Sequence, residues 1–348
     1  MTKRILKIGK FQVEDKSDAF IIAEIGHNHQ GSVEICEQMF QAAARSGATA
    51  VKLQKRDNIN LYTKNFFNSP YEGPTSFGST YGIHREFLEF DKKQYLHLQQ
   101  VASDLDLVFF ATAFDFKSAD FLLDIGVPVI KVASGDLKSA PLIQYLSRSK
   151  LPLILSTGGA TLDEIKRATQ DTDPSNIAIL QCTAAYPAEP SEMDLNVITQ
   201  FRNTFPNTVI GLSSHDRGIA FPVVAFALGA RIIEKHFTTD RSMKGTDHAF
   251  SLEPTGMEKM VRDLHLVKQA MGDGKKKIHP REENGIRKMG KMLVYSSNIA
   301  KGTTLELSHF ALKSPQDGLN PQNIDSFLGR KLTQDVLLDN PAKFEDIA

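Results

Sequence analysis

The chain has 348 residues, enough for one large domain and a small one, or two comparable domains. Lys+Arg and Asp+Glu both number 41, so the net charge is zero, and no bulk basic excess points to nucleic acid or to an anionic membrane surface. Two cysteines without a CxxC pair give neither a disulfide framework nor a cysteine zinc site, and they lead us to expect a reducing, cytoplasmic setting. In chain order, the first twenty residues are charged and broken, without the apolar core of a signal peptide. No apolar run approaches the roughly 18 residues of a membrane-spanning helix.

From residue 20 onward, short apolar runs alternate with amphipathic stretches. The expected strands are 20–26, 50–54, 108–115, 129–134, 153–157, 177–183, 209–215 and 231–237. Their near-continuous hydrophobicity suits strands buried on both faces of a parallel sheet. The expected helices are 32–46, 91–104, 117–124, 140–148, 161–169, 192–204, 218–228 and 254–271, several opening on a Ser or Thr cap. Eight βα units over some 250 residues predict a (β/α)8 TIM barrel, with a doubly wound open sheet as the alternative. Residues 55–90 are too long for an ordinary βα loop, and their aromatic content points to an ordered flap. We therefore expect a barrel domain over 1–272, a polar linker over 273–286 and a small β-rich domain over 287–348, too small to stand alone and expected to dock on something.

Polar residues fall at the same relative place in every strand. The strand ends carry Glu24, Lys52 with Gln54, Thr112 with Asp115, Lys131 with Ser134, Ser156 with Thr157, Thr183, Ser213 with His215, and Glu234 with His236. Barrel active sites form at those ends, and charge there is costly unless it is paired or engages a ligand. Residues two apart on a strand face the same way, so Lys52 and Gln54, Ser213 and His215, and Glu234 and His236 can each point inward together. Lys52 and Lys131, with hydroxyls nearby, make a site for a compact anion. Two alternatives stand beside it: ion pairs with Glu24 and Asp136, or a Schiff base on Lys131. His215 and His236 end neighbouring strands, with Asp216, Glu234 and Asp247 near in sequence. They suit a divalent ion, or else one is catalytic and the other structural.

The stretches IIAEIGHNHQGS (21–32), GATAVKLQK (47–55), IKVASGD (130–136), LSTGGA (155–160), LQCTAAYP (180–187), IGLSSHDRGIA (210–220) and LGARIIEKHFTTDRSMKGTDHAFSLEP (228–254) carry a family resemblance. In order and spacing the chain resembles the sialic acid (N-acetylneuraminate) synthases. That resemblance implies a barrel followed by an antifreeze-like (SAF) domain, in a homodimer where each small domain caps the partner's barrel. It implies condensation of phosphoenolpyruvate with N-acetylmannosamine or its 6-phosphate. Related synthases of legionaminic or pseudaminic acid use other amino sugars. The resemblance makes Lys52, Thr112, Lys131, Ser134, Ser156 and Ser213 the phosphoenolpyruvate contacts. It makes His215 and His236 the ligands of Mn2+ or Mg2+, and Glu24, Gln54, Asp136, Tyr186 and Asp247 the acceptor-side or proton-handling groups. Residues 79–90 are most similar to animal-type members, which use the phosphorylated sugar. The chain departs from bacterial members at Ala184, where they carry Asn, and at Lys313-Ser314-Pro315, where they carry an Arg before Pro.

Overall fold

The computed structural model describes residues 4–348, so the first three residues of the charged N-terminal stretch lie outside it. The chain divides into two compact units, residues 1–272 and 273–348.

The first unit opens with an antiparallel hairpin, β1 (Ile5–Ile8) and β2 (Phe11–Glu14). No strand was expected in this segment. The alternation is only four residues long on each side, but it buries Leu6, Ile8 and Val13. The hairpin sits at the N-terminal ends of the barrel strands: Phe11 packs edge-on against Phe20, and Arg231 donates to the Asp15 carbonyl. That leaves the opposite end for chemistry.

Eight parallel strands follow: β3 (Phe20–Gly26), β4 (Ala50–Lys55), β5 (Val108–Ala113), β6 (Ile130–Val132), β7 (Leu153–Ser156), β8 (Ile177–Cys182), β9 (Val209–Ser214) and β10 (Ile232–His236). They close into a barrel, with β10 pairing back onto β3. The open-sheet alternative is thereby excluded. Every residue of β5, β8 and β10 is buried, as the unbroken apolar runs require. β6 is shorter than expected, because the chain leaves Val132 for a 3-10 turn over Ser134–Asp136.

The helices return the chain along the outside. Val33–Arg45 starts at Ser32, whose hydroxyl accepts from the Ile35 amide, and Leu162–Thr169 starts at a capping box of Thr161 and Glu164. The helix expected over 192–204 forms only over Val197–Thr204, since Asp194 takes a positive φ of 43° that interrupts it. The segment 55–90 is ordered. It folds into three short helices, Asn58–Leu61, Lys64–Phe67 and Tyr81–Phe87, held by contacts among Tyr62, Phe66, Tyr71, Tyr81 and His84. Among the described residues no helix is long and apolar enough to cross a membrane.

The second unit has its own core of Leu293, Tyr295, Ile299, Leu305, Phe327 and Leu332, together with Val336 and Ala342. Its one regular sheet pairs β11 (Met292–Tyr295) antiparallel with β12 (Phe310–Lys313). The buried Tyr295 hydroxyl donates to Asp346, which also accepts from Gln334. The expected linker is not wholly irregular, for a helix runs over Glu283–Met289.

Candidate active site

The C-terminal mouth of the barrel gathers four buried charges. Lys52 on β4 contacts Glu24 on β3 at 2.6 Å and donates to Thr112 Oγ1 on β5 at 2.9 Å. Lys131 on β6 donates to Ser156 Oγ on β7 at 2.6 Å and to the Val132 carbonyl at 3.1 Å. Between them stands Glu234 on β10, 3.9 Å from Lys52 Nζ and 3.8 Å from Lys131 Nζ, and accepting from Ser213 Oγ on β9 at 2.9 Å. Each of these side chains is nearly inaccessible, so pairing is a condition of their staying charged.

The two carboxylates have different environments. Burial would raise the Glu234 pKa, but Lys131 and Lys52 outweigh it and hold the group at about 2. Glu24 is raised by burial, Lys52 only partly opposing and Glu234 adding to the rise. Glu234 thus keeps its charge, while Glu24 is the carboxyl more ready to take a proton. Burial lowers the Lys131 pKa against the pull of Glu234.

Gln54 donates to Glu24 at 2.7 Å, so the two-residue spacing from Lys52 does bring both side chains inward. Ser134 stands one step aside on the turn after β6, donating to Cys182 Sγ at 3.3 Å and accepting from the Gly158 amide at 3.0 Å. A Cβ on Gly158 would lie 2.9 Å from both Ser134 Oγ and Ala184, which is why this position has no side chain. The alternative pairing of Lys131 with Asp136 is not formed; Glu234 takes that place. Asp136, with burial as the main cause, has its pKa raised to about 6, against the opposing charges of Arg56 and Lys131.

A second corner lies at β9 and β10. The rings of His215 and His236 are 5.3 Å apart. His215 Nδ1 meets the Thr183 carbonyl at 2.8 Å, so this nitrogen donates and the contact fixes the orientation of the ring. His236 Nδ1 is buried without a hydrogen-bond partner, 3.6 Å from Asp247 Oδ2, and burial lowers its pKa, so the ring is neutral. Tyr186 is exposed, but its ring packs 4.1 Å from that of His215. Behind the corner, Lys235 contacts Asp216 at 2.8 Å in a fully buried ion pair that ties the turn after His215 to the strand carrying His236. Among the described residues no three His, Cys, Asp or Glu side chains converge as a ready-made metal cage. Two adjacent imidazoles, that of His236 with an orphaned nitrogen, nevertheless fit a divalent ion whose other positions go to water and substrate.

The strand-end pattern groups these residues but gives Glu234 no central part. It also passes over Arg56, Arg85 and His27, which the flap brings together. The signal for Glu234 was its two-residue spacing from His236. For the flap residues there was none, because their meeting depends on the loop's path.

A closed parallel barrel with a lysine pair around one carboxylate, and two histidines at the same mouth, defines an enzyme-type site for an anionic substrate. The NeuB family profile matches residues 39–276, and the chain belongs to the NeuB family. It is 36% identical over 338 residues to N-acetylneuraminate-9-phosphate synthase of Mus musculus, an alignment covering 96% of this chain and 94% of the mouse protein. It is 34% identical over 325 residues to N,N'-diacetyllegionaminic acid synthase of Campylobacter jejuni, covering 92% of this chain and 97% of that one. Among solved structures it is similar to the N-acetylneuraminic acid synthetase of Leptospira borgpetersenii, in complex with citrate, with a TM-score of 0.72 and 30% identity over 82% of this chain and 95% of that one.

Proposed function

We propose that this chain is a sialic acid synthase. It condenses phosphoenolpyruvate with N-acetylmannosamine or its 6-phosphate, giving N-acetylneuraminate or its 9-phosphate and inorganic phosphate. The observation that carries the reading is the buried pair Lys52 and Lys131, each hydrogen-bonded to a hydroxyl and both facing Glu234. Such a pair serves a small substrate bearing a carboxylate and a phosphate.

In this reading Lys52, Thr112, Lys131, Ser156 and Ser213, with Ser134 beside them, hold phosphoenolpyruvate and stabilise its charge throughout. The C=C π pair of phosphoenolpyruvate bonds its carbon 3 to the aldehyde carbon of the open-chain sugar, and carbon 2 is left cationic. The C=O π pair passes to the aldehyde oxygen, which takes up a proton to become a hydroxyl. Water adds at carbon 2 and gives its proton to Glu24, the carboxyl whose pKa burial has raised. Phosphate then leaves with the oxygen that joined it to carbon 2, taking up the proton of the new carbon 2 hydroxyl as that becomes the ketone. Gln54, Asp136, Tyr186 and Asp247 lie on the acceptor side. His215 and His236 would hold Mn2+ or Mg2+, which when bound supplies Lewis-acid polarisation of the aldehyde oxygen.

The same reading makes residues 287–348 an antifreeze-like SAF domain that caps the barrel of a second copy in a homodimer. Exposed apolar side chains on that unit, Leu307, Leu337 and Leu338 among them, support a docking role. It also places the protein in the cytoplasm, in keeping with its two buried free thiols. A legionaminic acid synthase is the second reading, favoured by the 34% identity to the Campylobacter protein.

The test is phosphate release from phosphoenolpyruvate by metal-stripped protein, with Mn2+ restored and each acceptor sugar added in turn. Metal-dependent release with an N-acetylmannosamine acceptor supports the reading. Folded, metal-loaded protein that releases no phosphate with any acceptor refutes it.

A further inference from the structure

Beside the lysine pair, β4 and the flap bring two guanidinium groups onto one imidazole. Arg56 Nη1 lies 3.0 Å from His27 Nε2, and Arg85 Nη1 lies 3.2 Å from His27 Nδ1. Arginine only donates, and a neutral imidazole offers a single lone pair. Burial, then Arg56 and Arg85, hold the His27 pKa well below the ordinary value, so the ring is neutral. One of the two contacts therefore sets an N–H against an N–H. Arg56 spends one further donor on Gln54 Oε1 at 2.8 Å and has its Cζ 3.6 Å from the centre of the Phe114 ring, while Arg85 Nε donates to the Tyr81 hydroxyl at 3.0 Å. Among the described residues neither guanidinium forms an ion pair. Glu89 nearby gives Oε2 to Lys55 at 2.8 Å, and its Oε1 lies 4.0 Å from His27 Nε2 without a hydrogen bond.

Two like charges, one buried and one half-buried, with donors to spare, form an incomplete electrostatic arrangement. An anion with several acceptor oxygens completes it. A phosphate monoester suits it best, since each guanidinium can give it a forked pair of hydrogen bonds. The place is connected to the reaction centre by a chain of contacts. Glu24 accepts from Gln54, Gln54 accepts from Arg56, and Arg56 meets His27. A group bound at the arginines is thus held at a distance from Glu24, where an extended sugar would carry its far end.

We infer that Arg56 and Arg85, bridged by His27, form an anion subsite for a phosphate group on the far end of the acceptor sugar, so that the substrate is a sugar phosphate. The inference rests on the synthase reading above and goes beyond it by naming the acceptor's charge and the residues that select it.

The experiment compares kcat/KM for N-acetylmannosamine and N-acetylmannosamine 6-phosphate, at saturating phosphoenolpyruvate and Mn2+, in the wild type, Arg85→Met and Arg85→Lys. The wild type is expected to prefer the phosphorylated sugar, and Arg85→Met to cut that preference about 30-fold through loss of a charge-assisted contact. Arg85→Lys is expected to keep part of it, which guards against a folding defect. A wild type that prefers the neutral sugar overturns the inference and leaves the synthase reading standing. So does a preference unchanged in Arg85→Met, or an effect confined to the KM for phosphoenolpyruvate. Turnover of neither sugar brings down both.

Discussion

Lys52 and Lys131 converge on one carboxylate, that of Glu234, whose oxygens stand 3.9 and 3.8 Å from the two ammonium nitrogens. The lysines come from alternate barrel strands and the glutamate from the last. Removing its charge leaves the buried Lys131 ammonium without a carboxylate partner, while Lys52 keeps only Glu24. Glu234→Gln is therefore expected to destabilise the fold by about 3–5 kcal/mol, as breaking a buried ion pair does. Urea unfolding measures this. Added phosphate should stabilise the variant more than the wild type, because the anion binds where charge was lost. An unchanged unfolding midpoint would contradict the arrangement.

Asp136 and Glu234 predict opposite pH dependences. Asp136, raised to about 6, binds its proton more tightly in the folded state than in the unfolded chain. Its contribution to stability is complete below its ordinary value near 4 and is lost as pH rises through about 6. Asp136→Asn should thus be more stable than the wild type by about 1–2 kcal/mol at neutral pH and above, an amount reduced for its partial exposure, with the gain vanishing in acid. Glu234, held at about 2, contributes above its ordinary value near 4.5 and loses that contribution as pH falls toward 2. Melting temperatures from acid to mildly alkaline buffer resolve the two. Equal effects of Asp136→Asn at both ends would show that its carboxyl is not perturbed.

His215 and His236 make a separate prediction about metal. Stripping with a chelator should abolish phosphate release, and Mn2+ should restore it. His236→Ala should weaken Mn2+ binding by at least about 100-fold in a calorimetric titration, since only one imidazole remains. A variant that binds Mn2+ like the wild type would remove the pair from the metal site.

Lys131 tests the Schiff-base alternative directly. Its ammonium is hydrogen-bonded to Ser156 and to the Val132 carbonyl and faces Glu234, all of which favour the charged form over a free amine. Borohydride added with pyruvate should leave the protein mass unchanged. A covalent adduct on Lys131 would transfer the reaction to aldolase chemistry.

Gly158 offers a positional test. Its amide donates to Ser134, and a methyl group there would meet both Ser134 and Ala184 at 2.9 Å. Gly158→Ala should raise the KM for phosphoenolpyruvate about 10-fold by displacing Ser134, a sub-ångström misplacement of the kind that costs such factors. An unaltered KM would separate Ser134 from substrate binding.

The eight barrel strands were legible because strands buried on both faces must be apolar throughout, so that Lys52, Lys131, Glu234 and His236 stood out inside them. Positions on the strands carried over into space, since a parallel barrel puts equivalent strand ends at one mouth. What could not be read depended on the path of irregular chain. The hairpin Ile5–Glu14 was too short to show its period. The meeting of Arg56, His27 and Arg85 is set by short flap helices whose packing is aromatic and non-local. The exchange of Asp136 for Glu234 as the partner of Lys131 was hidden by the turn that shortens β6.

Barrel closure pairs His236 with Glu24 in register, the last strand against the first. The Glu24 carboxyl and the His236 imidazole are neighbours only through that seam, although most of the barrel sequence separates them. On a ribosome, the early strands with Glu24 and Lys52 emerge long before the strand that completes their surroundings. The lysine pair then waits for Glu234 as an exposed cationic patch. Catalytic competence therefore arrives late and all at once, and a chain stopped before β10 should show no graded remnant of activity, whatever secondary structure it has acquired.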